Sequence, residues 1–414
     1  VFASDANAQR FASSLARLRG AALKLGQMLS IQEDTILPPT LAKALREVVH
    51  QGADAMPLRQ LHHQLSTQLG GNDWKERYFL TFEDHPMAAA SIGQVHRATL
   101  KSDGREVVVK VQYPGVAESI ESDLANLNLL VKATGLAPPG LFIDEIIRVG
   151  RKEILLECDY EREMANQNKF RQLIEADESL SQTFKVPGVI GELTTKRILT
   201  TEFAPGGTID KVANLSQEER NRIGRAIMRL AMKELFEWRF MQTDPNWGNF
   251  LYDYGTNTTY LIDFGAAREY DKSFVDGYLR IVWAAANGDS KTLLDQSREM
   301  GFLTGEESDI MLKAHIESGL VVGEPFQTFE SFDFKSSSIS ARLGQHTALF
   351  LRHRLTPPPE EVYTLHRKLA GAYTLCIKLG AVIPCRDLLE EIMQNYEFAN
   401  EKCESAEEVE QAKI

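Results

Sequence analysis

The fold is decided by two short stretches of sequence, Thr243-Asp244-Pro245-Asn246-Trp247-Gly248-Asn249 and Leu261-Ile262-Asp263-Phe264-Gly265. An aspartate, an asparagine shortly after it and an Asp-Phe-Gly beyond are the parts with which one class of phosphoryl-transfer site positions a nucleophile and holds metal ions. We expect Asp244 to act as a base towards a hydroxyl or water, or to orient one. We expect Asn249 and Asp263 to bind magnesium (Mg2+), the alternative for Asp263 being an ordinary turn aspartate.

A third stretch, Ala88-Ala89-Ala90-Ser91-Ile92-Gly93-Gln94-Val95, fits the kinase phosphate-loop pattern G-x-G-x-x-G-x-V at its last glycine and its valine. Ala88 and Ala90 stand where that pattern has its first two glycines. Glycine serves there because the backbone must approach the phosphates closely. We therefore expect this stretch, including Gly93 and Val95, to contact ATP through a stiffer loop that holds phosphate differently.

Lys110 lies in a strand-like, valine-rich stretch, at the position of the kinase lysine whose ammonium pairs with nucleotide phosphates. The alternative is a surface lysine on an edge strand, but the valines on both sides favour a buried strand. The expected partner of Lys110 is a helical glutamate. Its first candidates, Glu157, Asp159 and Glu163, come later in the chain than in ordinary kinases, which predicts an insertion in the small lobe.

Glu163 is the preferred partner of Lys110, which leaves Glu157 and Asp159 for another role. On one continuous helix Asp159 and Glu163 share a face at i, i+4, and Glu157 does not share it well. The helical pattern alone does not decide between Glu157 and Glu163.

The stretch from Arg197 to Gly206 is typical of a β-strand that leads into a linker punctuated by Pro and Gly. In a kinase-like fold this is the place where main-chain groups meet the adenine. We expect Glu202 and Ala204 to offer those hydrogen bonds.

The order of these motifs predicts an α+β, bilobal protein-kinase-like fold with an N-terminal helical extension and a helical insertion in the small lobe. A helix from Asn221 to Phe240 is expected to lead into the catalytic loop. No A-P-E motif or long phosphorylatable loop follows the Asp-Phe-Gly, so the sequence departs from protein kinases where they hold a peptide. The predicted domains are a helical extension (1–75), a small lobe with the alanine-rich loop and the insertion (76–205), a large lobe with the catalytic and metal-binding loops (206–395) and an acidic tail (396–414).

Composition is compatible with this fold and excludes some functions. The 414 residues are enough for a bilobal domain, and 43% hydrophobic content is ordinary for a globular protein. A net charge of -12 argues against general nucleic-acid binding, which needs a basic field. Four cysteines without C-x-x-C spacing predict free thiols in a reducing compartment. No run of about eighteen apolar residues is present, and an upstream transit peptide or membrane helix would precede Val1.

Together these residues resemble the UbiB family, also called ADCK, of atypical kinase-like ATPases. Lys24-Leu25-Gly26-Gln27 matches the K-x-G-Q signature of that family, Glu157-Cys158-Asp159 matches its E-x-D motif, and Ala88 to Ser91 match its alanine-rich loop. Gly20 to Gln32 and Met241 to Trp247 are similar to the mitochondrial branch that ubiquinone (coenzyme Q) biosynthesis requires. The resemblance covers nearly the whole chain.

The resemblance implies a role for the K-x-G-Q helix. In the family this helix folds over the place where a peptide would dock, so Lys24 and Gln27 would face the active site and Gly26 would permit close helix approach. Sequence physics alone favours a solvated lysine beside a packing glycine. With residues 20–32 in the cleft, water or a small molecule would still reach the γ-phosphate, whereas phosphorylation of proteins should be poor.

The resemblance implies three functions, in order of preference. The first is hydrolysis of ATP with Mg2+, coupled to a change that acts on lipid or protein partners. The second is a kinase for a small, lipid-like or protein substrate, and the third is a nucleotide-binding scaffold. The implied setting is the matrix face of the mitochondrial inner membrane, with ubiquinone-biosynthesis proteins and an anionic, cardiolipin-like surface as partners, no nucleic acid, and a homodimer as an open alternative. A basic amino-terminal end, with Arg10, Arg17, Arg19 and Lys24, suits membrane contact but equally suits a helix packed on the core.

Overall fold

The valine-rich stretch Glu106–Gln112 forms a central strand. Val107, Val109 and Val111 are completely buried, which is the period-two pattern of a strand with one face in the core. Lys110 stands between two of these valines, so its side chain leaves the opposite face of the sheet.

The computed structural model describes residues 55–90, 92–134, 142–209, 215–244 and 246–399. The predictions for Lys24, Gly26, Gln27, Ser91 and the tail beyond residue 399 lie outside these ranges. Within them the mixture of helices and sheets confirms the predicted α+β class. No helix in the described part of the chain is long and apolar enough to cross a bilayer.

The described residues form two compact units. The first reaches to Thr208 and includes Asn249–Ala266, and the second is formed by Ile209–Gly248 and the residues from Ala267 onward. The segment that carries Asn249 and Asp263 therefore belongs to the first unit, and the segment that carries Asp244 belongs to the second.

The described strands are, in chain order, β1 Phe79–Phe82, β2 Ala88–Ala89, β3 Gly93–Leu100, β4 Glu106–Gln112, β5 Phe184–Lys185, β6 Ile198–Glu202, β7 Gly207–Thr208, β8 Phe240–Gln242, β9 Phe250–Asp253, β10 Thr258–Leu261, β11 Ala267–Glu269, β12 Phe332–Asp333 and β13 Val382–Ile383. The main sheet of the first unit is antiparallel in the order β1-β3-β4-β6, with β2 added to β3. In this sheet Lys110 lies opposite Val95 on one side and Leu199 on the other.

The described helices are α1 Leu58–Gln68, α2 Trp74–Tyr78, α3 Val116–Thr134, α4 Ile143–Glu157, α5 Tyr160–Ala176, α6 Glu178–Ser181, α7 Gln217–Met232, α8 Lys272–Ala286, α9 Ser290–Glu299, α10 Asp309–Gly323, α11 Ile339–Gly344, α12 Thr347–His353, α13 Glu360–Leu379 and α14 Arg386–Asn395. Helices α3 and α4 follow β4 and account for the predicted insertion.

The stretch around the Glu-Cys-Asp motif is two helices, not one. Helix α4 ends at Glu157, and the side chain of Asp159 accepts hydrogen bonds from the N–H groups of Glu161 and Arg162 at 3.1 and 3.2 Å, which starts α5. Asp159 is therefore the N-cap of α5. The assumption of one continuous helix was wrong, because an aspartate that caps the backbone interrupts the helical pattern.

A second sheet positions the Asp-Phe-Gly segment. Its strand order is β5-β10-β9-β7, with β10 parallel to β5 and antiparallel to β9. Strand β10 ends at Leu261, and the N–H of Ile262 donates to the carbonyl oxygen of Asn249 at 3.0 Å. This bond ties the entry of the Asp-Phe-Gly segment to the residue that precedes β9.

In the second unit the helix before the catalytic loop differs from its predicted bounds. Helix α7 starts at Gln217, because Ser216 and Glu219 form a capping pair in which the Glu219 N–H donates to Ser216 Oγ. The α-helix ends at Met232 and gives way to the π-helical turn Lys233–Glu237. The prediction that this helix extends to Phe240 was wrong, since Phe240 opens β8, which pairs with β11.

Candidate functional site

The first feature of the site is an ion pair between Lys110 on β4 and Glu163 on α5. The Lys110 ammonium lies 2.9 Å from Oε1 and 3.0 Å from Oε2 of Glu163. The Glu163 side chain is 1% exposed and that of Lys110 15% exposed. Beneath them lies the ring of Tyr160, whose centroid is 5.1 Å from the Lys110 nitrogen. Of the two glutamates that the helical pattern did not separate, Glu163 is the one that pairs with Lys110.

Asp263 completes a three-residue charge cluster with this pair. Its Oδ2 lies 3.6 Å from the Lys110 ammonium. Asp263 has a φ of 68°, a left-handed conformation in which aspartate and asparagine are enriched among non-glycine residues. Its Oδ1 accepts the N–H of Gly265 at 3.2 Å, which fixes the turn. The carboxylate is 38% exposed, so it remains accessible to a cation.

Helix α5 holds the rest of the Asp-Phe-Gly segment as well. Asn166 donates to the carbonyl oxygen of Phe264 at 3.1 Å, and Arg162 donates to that of Gly265 at 2.9 Å. The ring of Phe264 is buried against Phe170, with 4.9 Å between centroids. One helix therefore positions both the partner of Lys110 and the segment that carries the metal-binding candidate.

Burial and charge act against each other in this cluster. Burial disfavours the ammonium of Lys110, but the carboxylates of Asp263 and Glu163 outweigh this, so the pKa of Lys110 is well above its usual value. Burial, together with the charge of Asp263, raises the pKa of Glu163 to about 7, against the lowering influence of Lys110. Lys110 is thus charged at neutral pH, whereas Glu163 titrates close to neutral pH.

The alanine-rich stretch forms the edge of the main sheet. Ala88 and Ala89 pair with Val95 and Gln94 and are exposed, so this turn is built as a short hairpin. The N–H of Ala90 donates to the carbonyl oxygen of Gly93 at 2.8 Å, which closes it.

Gly93 is required by close packing. A Cβ atom at Gly93 would lie 2.4 Å from the carbonyl oxygen of Val111 and 3.0 Å from the hydroxyl of Tyr160. Contacts this short with backbone cannot be relieved by moving a side chain, so any larger residue would displace β3 from β4.

The predicted hinge residues lie at the end of β6 (Glu202) and two residues after it (Ala204). The N–H of Glu202 donates to Gly188 at 2.8 Å, and its carboxylate accepts from the N–H of Gly188 at 2.8 Å and from Arg105 at 2.9 Å. Ala204 is buried. Glu202 is thus fixed by its side chain and by its own N–H, an arrangement that holds the strand end in one position.

The Glu157 side chain is 7% exposed and lies next to the glycine of the Asp-Phe-Gly segment. A Cβ atom at Gly265 would lie 3.5 Å from Cγ of Glu157 and 3.4 Å from Oε2 of Glu163. Glu157 and Glu163 therefore pack beside the same turn at Gly265, and it is Glu163 that pairs with Lys110.

The donor set suits a magnesium ion that is shared with phosphate. The described residues contain no cluster of three or more His, Cys, Asp or Glu side chains that would hold a metal by itself. Mg2+ is usually bound through one or two protein carboxylates together with substrate phosphates and water. Asp263 offers an accessible carboxylate and Asn249 an amide, so these residues fit Mg2+ bound with a nucleotide.

Asp244 lies in the second unit, directly after β8. Its N–H donates to Oε1 of Gln242 at 2.9 Å, and the intervening Thr243 is buried. The loop that carries Asp244 is therefore anchored on the strand before it.

Sequence reasoning missed three supporting residues, Tyr160, Arg162 and Asn166. Tyr160 lies under the ammonium of Lys110, and the other two hold the Asp-Phe-Gly carbonyl groups. A signal was present, because Asn166 is three residues after Glu163 and therefore lies on the same face of α5.

Comparison with known proteins identifies the family. A model of the ABC1 atypical kinase-like domain matches residues 48–297. The mitochondrial atypical kinase coq-8 of Caenorhabditis elegans is 48% identical over 404 residues, which are 97% of this chain and 52% of that protein. The mitochondrial atypical kinase COQ8B of Danio rerio is 46% identical over 95% of this chain and 62% of its own length. The mitochondrial atypical kinase COQ8 of Saccharomyces cerevisiae is 45% identical over 94% of this chain and 76% of its own length. The chain thus spans about half to three quarters of the length of these relatives.

A solved structure supports the same assignment. The complex of Rv3197 from Mycobacterium tuberculosis with erythromycin matches with a TM-score of 0.64 and 27% sequence identity, over 92% of this chain and 93% of that one. The predicted kinase-like fold and the resemblance to the UbiB family are confirmed. The chain belongs to the ABC1 atypical kinase-like family, which is the UbiB family.

Proposed function

We propose that this protein binds Mg-ATP and hydrolyses it in support of ubiquinone biosynthesis in mitochondria. The observation that carries the proposal is the cluster of Lys110, Glu163 and Asp263, with the ammonium 2.9 Å from Glu163 and 3.6 Å from Asp263. In kinase-like sites the lysine–glutamate ion pair and the aspartate of Asp-Phe-Gly must both be in place before phosphoryl transfer can occur.

Each residue has a role that derives from its chemistry. Lys110 would contact the phosphates as a charge fixed by Glu163, and the alanine-rich turn up to Gly93 and Val95 would cover them. Main-chain groups of Glu202 and Ala204 would meet the adenine. Asp263 and Asn249 would hold Mg2+, which neutralises charge that develops on the phosphates.

Asp244 would orient the attacking oxygen and accept its proton. A carboxylate can do this at neutral pH when it lies within hydrogen-bond reach of the nucleophile. Catalysis of this kind consists mainly of positioning and charge neutralisation. The expected effect of neutralising Asp244 is therefore loss of turnover while nucleotide binding persists.

Hydrolysis is preferred over transfer to a protein because regular structure resumes soon after the Asp-Phe-Gly segment. Only Ala266 separates Gly265 from the short strand β11, and helix α8 begins at Lys272. No extended segment of the kind on which protein kinases hold a peptide lies between them, and these residues are all within the described range 246–399. Water or a small molecule remains a suitable acceptor.

A kinase is the second candidate, and the names of the relatives favour it. Several are called atypical kinases, and a small hydroxylated or lipid-like acceptor would need no peptide platform. A scaffold without turnover is the third, but a site without chemistry would not need Lys110, Asp244, Asn249 and Asp263 together.

The setting is proposed from the relatives, whose names place them in mitochondria. We infer a location at the matrix face of the inner membrane, with ubiquinone-biosynthesis proteins and a cardiolipin-like anionic surface as partners. The proposed domains are the extension, residues 1–75, which carries the K-x-G-Q residues Lys24, Gly26 and Gln27, the small lobe (76–205) and the large lobe (206–395). A homodimer is one of the oligomeric states that the proposal allows.

One experiment separates the three functions. Phosphate release from Mg-ATP is measured for the purified protein and for Asp244→Asn, with and without vesicles that contain cardiolipin, alongside transfer of radiolabelled phosphate. Release that vesicles stimulate and the variant lacks, without labelled protein, supports the ATPase. A labelled protein or small molecule supports the kinase, and binding without either product supports the scaffold.

A further inference from the structure

A buried ion pair lies in the second unit, outside the cluster around Lys110. The Lys368 ammonium on α13 is 2.6 Å from Oε2 of Glu234, and the two side chains are 10% and 1% exposed. Glu234 belongs to the π-helical turn Lys233–Glu237 that ends the helix before the catalytic loop. Such turns occur mostly as single interruptions of α-helices and are frequent at functional sites.

The pair is connected to the catalytic loop by hydrogen bonds. The same Oε2 of Glu234 accepts the N–H of Gln242 at 3.1 Å. The side-chain oxygen of Gln242 in turn accepts the N–H of Asp244 at 2.9 Å. Lys368, Glu234, Gln242 and Asp244 therefore form one continuous chain of polar contacts.

Helix α13 reaches the catalytic loop at a second point. The ammonium of Lys378, near the end of this helix, lies 3.8 Å from the centroid of the Trp247 ring. This is within the distance at which a cation is attracted to an aromatic face. Helix α13 thus contacts the chain on both sides of Asp244. Lys368 reaches the segment before it through Glu234, and Lys378 contacts Trp247 after it.

Stability alone does not explain the buried pair. Replacing a buried ion pair by apolar residues of similar volume is often neutral or stabilising, because the desolvation of two charges offsets their attraction. Hydrogen-bonded charged groups do fix a geometry that apolar contacts leave free. At this position the geometry fixed is that of the strand end and the N–H of Asp244.

We propose that Glu234 and Lys368 are positioning residues for Asp244, and that Lys378 supports the same loop through Trp247. This inference rests on the proposed function for its effect on turnover, but not for its effect on the loop itself. When the pair is intact, the loop is held in one conformation. The Asp244 carboxylate is then already positioned for the attacking oxygen.

The test combines hydrogen exchange with steady-state kinetics. The variants are Lys368→Met, Lys368→Arg, Glu234→Gln and Lys378→Gln, with Lys313→Gln as the matched control. Lys313 has a side chain that is 77% exposed and a carboxylate, Glu317, only at 3.9 Å, so its loss changes net charge by the same amount without touching the loop. Amide exchange is followed for the peptide that covers residues 240–249, and kcat and KM for Mg-ATP are measured.

The expected result for Lys368→Met is faster exchange in residues 240–249 and a kcat lower by about tenfold to 100-fold, with KM changed less than about twofold. Lys368→Arg should restore most of both values, because a guanidinium can still pair with Glu234. Lys378→Gln should give a smaller loss of the same kind. If Lys368→Met does not fold, Glu234→Gln still tests the pair, and Lys378→Gln, at an exposed residue, still tests the contact with Trp247.

Two outcomes would overturn the inference. Exchange in residues 240–249 that is unchanged in Lys368→Met or Glu234→Gln would show that the pair does not hold the loop, and unchanged exchange in Lys378→Gln would show the same for the contact with Trp247. Exchange that rises equally throughout the second unit would show a role in stability only. If the wild-type protein has no turnover, the proposed function fails, and the exchange data still decide the positioning role.

Discussion

Lys110 and Glu163 meet across 53 residues of sequence, with both carboxylate oxygens of Glu163 within 3.0 Å of the ammonium. The helix that supplies Glu163 also holds the Asp-Phe-Gly segment, because Asn166 and Arg162 donate hydrogen bonds to the carbonyl groups of Phe264 and Gly265. A displacement of α5 would therefore move the lysine partner and the metal-binding candidate together.

Lys110→Met should weaken Mg-ATP binding at least about tenfold, or about 1.4 kcal/mol. The fold should survive, because burial already raises the pKa of Glu163 to about 7 and loss of the ammonium raises it further. Glu163 would then be neutral at pH 7 and would avoid the cost of an unpaired buried charge. Thermal unfolding and titration calorimetry measure both effects.

Lys101→Met is the matched control for this variant. Lys101 follows β3 in the same unit and donates to the carbonyl oxygen of Glu76 at its surface. Its loss should leave nucleotide affinity unchanged. Equal affinities in Lys110→Met and the wild type would contradict the role given to Lys110.

Affinity and stability should respond to pH in opposite directions through Glu163. Its pKa in the folded state, about 7, exceeds the ordinary value of 4.5, so between these values the folded protein binds more protons than the unfolded chain. The contribution of Glu163 to stability therefore falls as pH rises through this window. Affinity for Mg-ATP should rise over the same window, because the ionised carboxylate fixes Lys110, whose own pKa is well above its usual value.

Glu163→Gln tests this pH dependence. The variant should show a flatter affinity profile between about pH 6 and pH 8, measured as the Kd of Mg-ATP, because the titrating group is gone. Protonation of the nucleotide itself is common to both proteins and cancels in their ratio. A constant ratio across this pH range would contradict the assignment of the titration to Glu163.

The sequence predicts local parts of this site better than long-range ones. Asp244, Asn249 and Asp263 could be proposed because they lie within two short motifs close together in the sequence, and Lys110 because valines surround it. Glu163 was already the preferred partner of Lys110, but the helical pattern left Glu157 open, since Asp159 caps a new helix that the periodic pattern does not reveal.

Contacts between distant segments were beyond sequence reasoning. Glu234 and Lys368 lie far apart in the chain, and neither residue type indicates a buried partner by itself. The end of α7 was misjudged for a related reason. The π-helical turn Lys233–Glu237 keeps a helical sequence pattern, while tertiary contacts of Glu234 with Lys368 and Gln242 direct the chain into β8.

Ala90→Gly should change nucleotide affinity more than it changes stability. The N–H of Ala90 closes the turn on Gly93, and loss of one methyl at a part-exposed turn costs about 0.5–1 kcal/mol through greater freedom of the unfolded chain. A looser turn should bind the phosphates differently, which is measured as the Kd for Mg-ATP and for Mg-ADP. Ser102→Gly, in the exposed turn at the other end of β3, should change neither Kd, and an Ala90→Gly protein that behaves in the same way would contradict the role of the turn.

Asp263→Asn should abolish the dependence of nucleotide affinity on Mg2+ and leave the fold intact. Asparagine adopts the left-handed conformation of Asp263, φ 68°, as readily as aspartate does, and its amide oxygen can still accept the N–H of Gly265. Asp253→Asn is the matched control, because Asp253 also caps a turn in the same unit by accepting the N–H of Gly255 at 2.9 Å. The additional thermal shift that Mg2+ gives over ATP alone should disappear in the first variant and persist in the second.

The lost charge should have a second effect, since the carboxylate of Asp263 contributes to the raised pKa of Glu163. Its removal should move the acid limb of nucleotide affinity to lower pH, and an undiminished thermal shift with an unmoved limb would remove Asp263 from the metal site.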